Sequence, residues 1–385
     1  MHVCLLTLDF PPFRSSGLTI YAEMVVKGLA RRHKVTVVTS HRPERDRLDD
    51  LQLPENVSVV RVPIGRADWI GFGWQAARYL HSKSFYFDVI HFVDVHFAYA
   101  YRGSFVASAF QSFRQRLTSC HGRPYHINWH DYLFRLIYYR VARWMMEQPA
   151  VRRATHIIMP SLATQREFIE HYGVDPARTT LIYPGIDLRR FERLPDQAEA
   201  RRYLGLPTDK PIILYVGFST PRKGVEYLAQ AMRRIKTPAY LVMVGKWEAR
   251  YKKRFLKALG DASDRVYLAG YVPDVELPFY FAAANIFVLP TLLEGFGFPL
   301  VEAMAAGLPV VTTEGGAAGE IVGDGGLIVP PADSGALACA IDRVLNDSDL
   351  ACQLSQAGRY RARIMFDERH AIDKLEAVYY HVLNK

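Results

Sequence analysis

A chain of 385 residues, half of them hydrophobic and 23% charged, is too long for one ordinary core and too apolar for disorder, so two domains are expected. No apolar run reaches the roughly 18–20 residues that a membrane-spanning helix needs. The net charge is +9, and residues 101–153 carry nine Arg against Asp131 and Glu147, a local excess of +7 that suits an anionic partner. Cys4, Cys120, Cys339 and Cys352 share no Cys-x-x-Cys spacing, which leaves a disulfide framework or a zinc site unsupported. The first apolar run is too short for a signal peptide, and a cytosolic location is expected.

In chain order, short β-rich runs lie at residues 3–9, 35–39, 57–62, 89–93, 126–129, 156–159 and 180–182. Helical patterns fall between several of them, for example at 21–32. Tyr183-Pro184-Gly185-Ile186-Asp187 then breaks the rhythm, and a polar, Arg-rich stretch runs to Lys210. A second alternating set follows at 212–217, 241–244, 266–268, 286–289, 310–312 and 327–329. Strand–helix alternation predicts an α/β chain of two Rossmann-like domains facing across a cleft, with ligands at the carboxyl ends of the strands.

The segment from Thr291 to Val311 is the most informative. It reads as a strand end, a glycine loop, one short helix and a new strand. Pro299 suits the first helical position, and Gly307 and Pro309 stop the helix. Free N–H groups and the positive helix end make an anion site. Glu294 precedes the loop and Glu302 lies about one turn into the helix, so the turn brings both carboxylates back toward one place. A carboxylate only accepts hydrogen bonds and therefore suits hydroxyl groups. Phosphate between two such carboxylates describes a nucleotide-sugar.

Glu-x7-Glu around Gly-Phe-Gly-Phe-Pro, followed by Glu-Ala-Met-Ala-x-Gly-x-Pro-Val-Val, resembles the retaining glycosyltransferases of family 4, of the two-domain GT-B type. The resemblance implies an acceptor-binding domain at 1–190, a nucleotide-sugar-binding domain at 191–365 and a last helix, 366–385, packing on the first domain. It assigns Glu302 to the ribose hydroxyls and Glu294 to a hydroxyl of the transferred sugar. Backbone N–H groups of Gly295, Phe296, Gly297 and Phe298 would hold phosphate and sugar. Gly217 ends a strand, and Lys223-Gly224 matches the pair that meets the diphosphate. The family's Arg after the strand glycine is Phe218 here, and Arg222 is expected to substitute for it, because a guanidinium fork matches phosphate oxygens. Val272, in Gly270-Tyr271-Val272-Pro273, falls in a turn whose backbone reads the nucleobase.

Asp131 suits an N-cap or a first helical turn. In relatives a His at the end of the preceding strand faces the donor sugar, and His130 is placed there; His91 and His126 are expected to be structural. The loop of residues 9–17 has Ser16-Gly17 where the family shows Gly-Gly. Only Gly17 carries over, since a Cβ at position 16 restricts positive φ.

The implied activity is retaining transfer of a hexosyl group from a UDP- or GDP-linked sugar to a lipid-linked or cell-envelope glycan. It needs no cofactor: the nucleotide-sugar is a substrate, and no Asp-x-Asp pair of the metal-binding kind stands out. Nucleic acid is not expected as a partner. An idle nucleotide-sugar-binding homologue or partner subunit, and an epimerase or phosphorylase-like enzyme on the same architecture, are the alternatives. Finally, Leu133, Phe134, Ile137, Val141, Trp144 and Met145 form one helical stripe that Arg135, Arg140 and Arg143 avoid. Packing of that stripe into a core is the leading expectation. Engagement of anionic lipid on the inner face of a membrane is the second.

Overall fold

The computed structural model describes residues 1–11, 16–41, 53–64 and 68–384; residues 12–15 of the first loop lie outside these. The chain forms two compact units. Met1–Arg114, Tyr138–Gly185 and Glu368–Lys385 make the first, and Gln115–Ile137 with Ile186–Asp367 make the second.

The first unit is built on strands β1 (His2–Leu6), β2 (Lys34–His41), β3 (Val57–Pro63), β4 (Val89–Phe92), β5 (Val106–Ser108), β6 (His156–Met159) and β7 (Thr179–Leu181). They pair in parallel in the order β3-β2-β1-β4-β5-β6-β7. Val3 to Leu6 is a continuous buried apolar run, as a strand covered on both faces must be. The last helix, Glu368–Leu383, belongs to this unit and packs on helix Gly17–Leu29. Gly28 makes that approach possible, since a Cβ there would lie 2.3 Å from Ile372. Arg32 binds Glu376 at 2.7 Å, and the Tyr379 hydroxyl meets Nδ1 of buried His91 at 2.7 Å.

The second unit holds β8 (Ile212–Val216), β9 (Tyr240–Val244), β10 (Val266–Gly270), β11 (Ile286–Leu289), β12 (Val310–Thr313) and β13 (Gly326–Val329). Their order, β10-β9-β8-β11-β12-β13, is that of a doubly wound dinucleotide-type sheet, again all parallel. The fold class expected from the sequence is therefore present, as two Rossmann-like domains.

Two expectations are corrected. Residues 126–129 are not a strand. Asn128 Oδ1 accepts the N–H of Asp131 at 2.9 Å while the Asp131 carboxylate accepts the N–H of Ile127 at 2.9 Å. This reciprocal capping starts helix Trp129–Ala142 where the aromatic, β-branched run suggested extended chain. Conversely, three-residue β5 escaped notice because Val106-Ala107-Ser108 is short and mostly small. The stripe Leu133, Phe134, Ile137, Val141, Trp144 and Met145 is exposed and is not packed into a core.

Candidate active site

In the second unit the strand order reverses between the neighbours β8 and β11, and open parallel sheets bind ligands at the carboxyl ends beside such a reversal. β8 runs into Gly217, Phe218, the 3₁₀ turn Pro221–Lys223 and helix Val225–Met232. β11 runs into Thr291 and onward to Gly297, then helix Phe298–Ala306. The two loops are stitched together: the Arg222 carbonyl accepts the Leu292 N–H at 2.8 Å and the Thr291 hydroxyl at 3.2 Å. Gly224 sits at φ 60, and a Cβ there would lie 2.2 Å from the Pro290 carbonyl oxygen. Glycine is what allows so close an approach.

Glu294 is nearly buried, and its carboxylate accepts from Lys223 Nζ, from Arg222 Nη1 at 3.3 Å and from the Thr291 hydroxyl at 3.4 Å. Burial opposes its charge, but Lys223 and Arg222 outweigh burial and hold the carboxyl below the usual carboxylate range. Its backbone is fixed as well: Glu294 N–H donates to Gly315 at 3.0 Å, and Ala317 N–H donates to the Glu294 carbonyl at 2.9 Å. Arg222 also donates to the Leu293 carbonyl at 2.7 Å. Two cations thus share one carboxylate, leaving one positive charge in excess beside the glycine loop.

Gly297, at φ 101, opens helix Phe298–Ala306, and Gly307, at φ 80, closes it. The helix begins one residue before the expected first position, with Pro299 in its first turn. The rings of Phe296 and Phe298 meet edge to face at 5.0 Å, and Phe296 meets Phe366 at 5.6 Å. These side chains anchor the loop, and its backbone lies at the positive end of the helix, where an anion is favoured.

Glu302, in the middle of this helix, is also nearly buried. Burial pushes its carboxyl up to about 7; Arg190, whose Nη1 lies 3.7 Å from Oε1, offsets part of that, and Asp274 adds to it. Arg190 also donates to the Asp274 carbonyl at 3.2 Å. One guanidinium therefore ties the turn after β10, which contains Val272, to Glu302. Beside Val272, the Tyr271 ring carries the Lys246 ammonium 4.8 Å from its centroid.

The structure gathers Gly217, Arg222, Lys223, Glu294, Gly295, Phe296, Gly297 and Phe298 at the ends of β8 and β11, while Arg190 links Glu302 to Asp274, two residues after Val272. Gly217 N–H donates to Val244 at 2.9 Å. Gly17 lies in the first unit, at the start of helix Gly17–Leu29, and Ser16 before it has ordinary extended backbone at φ −160, so its Cβ imposes no restriction there. His130 is exposed in the first turn of helix Trp129–Ala142, and because residues 126–129 are not a strand, it does not stand at a strand end. Arg190 and Asp274 are marked in the sequence only by their charge, and Thr291 only as the start of the glycine-loop segment, with no role for its hydroxyl. The chain does contain one Asp-x-Asp, Asp347-Ser348-Asp349; Asp347 is the N-cap of helix Ser348–Met365 and accepts the Leu350 N–H at 2.9 Å.

Comparison with known proteins agrees with this geometry. Residues 15–190 match the sequence profile of Glycosyltransferase Family 4, and residues 196–361 match that of Glycosyl transferases group 1. The chain is 29% identical to a GDP-mannose-dependent alpha-(1-6)-phosphatidylinositol monomannoside mannosyltransferase of Mycolicibacterium smegmatis, over 93% of both chains. It is also 29% identical to an MMP alpha-(1->4)-mannosyltransferase of Mycolicibacterium hassiacum, over 62% of this chain, and spans 58% of that relative's length. In fold it is similar to sucrose-phosphate synthase from Thermosynechococcus elongatus, with a TM-score of 0.81 at 24% identity over 100% of this chain and 99% of that one. With its two Rossmann-like units and both profiles matched in sequence order, the chain belongs to the family 4 glycosyltransferases of GT-B architecture.

Proposed function

We propose that the protein is a retaining glycosyltransferase that moves a hexosyl group from a nucleoside-diphosphate sugar to a hydroxyl of a lipid-linked or cell-envelope glycan. The observation that carries this reading is the ion cluster of Glu294, Lys223 and Arg222 beside the start of helix Phe298–Ala306. Its excess cation and the helix end suit a diphosphate, and Glu294, kept ionised by its neighbours, is ready to accept from a sugar hydroxyl. Glu302 would take the ribose hydroxyls and the backbone at Val272 the base edge. The same charges stabilise the leaving diphosphate, whose oxygen helps to accept the acceptor's proton during same-face attack. His130 is proposed to face the donor sugar, and Gly17 to lie against the diphosphate in the loaded enzyme. Transfer is proposed to proceed without a metal; loss of activity with a chelator would contradict this.

A GDP-linked mannosyl donor is favoured over a UDP-linked one, because the relative matched over nearly its full length is named as GDP-mannose-dependent. A second reading, a nucleotide-sugar binder without turnover, is favoured by one observation: Phe218, half exposed, occupies the place of the family's phosphate-facing Arg. The deciding experiment is the melting temperature with saturating GDP, UDP, ADP or NAD, followed by turnover of GDP-mannose. Ligands that bind only the native state raise the melting temperature by mass action. A shift with GDP and formation of an α-linked product support transfer; a shift without turnover supports the binder; no shift with any of the four defeats both.

A further inference from the structure

The carboxyl ends of β8, β9 and β10 are drawn together by three glycines. Gly217 N–H donates to the Val244 carbonyl at 2.9 Å, and Gly245 N–H donates to the Gly270 carbonyl at 2.6 Å. Gly245 sits at φ 128, and a Cβ on it would collide with the Gly217 carbonyl oxygen, so glycine is needed for the approach. Ser219 N–H then donates to the Lys246 carbonyl at 2.8 Å, which fixes the loops after β8 and β9 to each other. Two side chains stand out from this floor. Tyr271 is 58% exposed, and the exposed Lys246 places its ammonium 4.8 Å from the Tyr271 ring centroid. Among the described residues no carboxylate forms an ion pair with Lys246.

Sheet order decides what this pair can meet. β9 and β10 flank β8 on the side away from β11. The diphosphate is assigned to the loops after β8 and β11. The ribose is assigned to Glu302, which Arg190 ties to the Asp274 carbonyl in the turn after β10. A nucleotide carries its base on the side of the ribose away from the phosphates. With that assignment the base falls at the ends of β9 and β10, where Tyr271 offers a ring face and Lys246 a charged hydrogen-bond donor.

We infer that Lys246 and Tyr271 select guanine as the base of the donor. The inference rests on the nucleotide-sugar reading and deepens it. The base takes the place of the ammonium on the Tyr271 ring, and the ammonium moves to the edge of the base, where it donates to O6 and N7. Guanine presents those two acceptors side by side. Adenine sets an amino group, itself a donor, beside N7, so the ammonium would oppose donor to donor. Uracil offers O4 without a neighbouring ring nitrogen acceptor, and a smaller face to stack.

The test is calorimetric titration of GDP, 7-deaza-GDP, UDP and ADP into the full chain and its variants. The parent is expected to bind GDP at least about tenfold more tightly than ADP, since a bidentate base contact discriminates by roughly that much. Lys246→Met is expected to lower GDP affinity about tenfold, to leave ADP unchanged and to erase the preference for GDP over 7-deaza-GDP, which has carbon in place of N7. Lys246→Arg is expected to keep the preference, because a guanidinium reaches the same two acceptors. Tyr271→Ala is expected to weaken GDP about tenfold and Tyr271→Phe to leave it unchanged, since stacking needs the ring and not the hydroxyl. Both side chains are exposed, and melting temperatures equal to the parent's show that the fold is intact. Equal losses of GDP and ADP in Lys246→Met would make the lysine a phosphate contact and overturn the inference, as would 7-deaza-GDP binding the parent as tightly as GDP. UDP or ADP binding the parent as tightly as GDP keeps the nucleotide-sugar reading and overturns this inference alone. No binding of any of the four overturns both.

Discussion

Arg190 holds Glu302 from outside the glycine-loop motif: its guanidinium lies 3.7 Å from the Glu302 carboxylate and donates at 3.2 Å to the Asp274 carbonyl. Burial has raised this carboxyl to about 7, so its charge is set near neutrality by one cation, Arg190, and one nearby acid, Asp274. A carboxylate that accepts from ribose hydroxyls must be ionised to bind well. GDP affinity is therefore expected to improve about tenfold as pH rises from 6 to 8. Arg190→Ala is expected to move the midpoint of that rise upward, because the opposing cation is gone. Calorimetric titration across this range checks it; a flat profile in the parent protein rejects the ribose role of Glu302.

The same group makes a stability prediction of the opposite sense. Between the ordinary glutamate value and about 7, the native state keeps a proton that the unfolded chain has lost. Stability from this residue thus falls as pH rises through that window. Glu302→Gln removes the cost of the buried charge, so at pH 8 it is expected to leave the melting temperature unchanged or raised while weakening donor binding. A lowered melting temperature in that variant would show that the carboxylate is a structural partner of Arg190.

Glu294→Gln should behave differently. It strips buried Lys223 of its counter-ion, and breaking such a pair costs about 3–5 kcal/mol. Arg222, partly open to solvent, moderates that cost, so a destabilisation of about 2–3 kcal/mol is expected, together with a loss that falls on kcat more than on KM. Denaturant unfolding and steady-state kinetics with GDP-mannose measure both. A variant that loses affinity but keeps turnover would exchange the roles of the two glutamates.

Arg222→Ala is expected to weaken GDP binding nearly as much as Lys223→Ala. Both cations share the carboxylate of Glu294, and Arg222 additionally holds the Leu293 carbonyl at 2.7 Å. Unchanged affinity in the Arg222 variant would return it to a purely structural role in the loop.

In the first unit, His96 lies between Asp94 at 2.5 Å and Glu147 at 2.9 Å. Burial works against the imidazolium, but the two carboxylates outweigh it and push its value up to about 9. A raised value means that the stabilisation is full below about 6.5 and is lost as pH climbs through about 9. The melting temperature of the parent protein is expected to fall over that window, and the corresponding fall should be absent in His96→Asn. Parallel pH dependence in the two proteins would mean that His96 is neutral in the folded state.

The sheets were largely legible because parallel strands buried on both faces read as short apolar runs; residues 156–159 and 286–289 were located to the residue. The glycine loop and its helix were legible because glycine and proline punctuate both ends. Residues 126–129 misled, since aromatic and β-branched side chains favour extended chain while the decisive signal was the pairing of Asn128 with Asp131. Arg190 was invisible for another reason: which carbonyl and carboxylate its long side chain reaches is decided by tertiary placement, and no local period encodes it. The apolar stripe was read correctly as a stripe, but periodicity says only that a face is apolar, not what covers it.

Because residues Gln115–Ile137 belong to the second unit although they lie in the middle of the first unit's sequence, neither unit is a contiguous piece of the gene. Arg254 grips this inserted segment through the His126 carbonyl at 2.9 Å while its guanidinium pairs with buried Glu226 at 2.6 Å. A fragment limited to residues 186–367 would lose that cover and open the Glu226 pair to water. Recombination with a relative's acceptor-binding half would therefore have to exchange two separate crossovers together, and single-breakpoint chimaeras near residue 186 should express poorly.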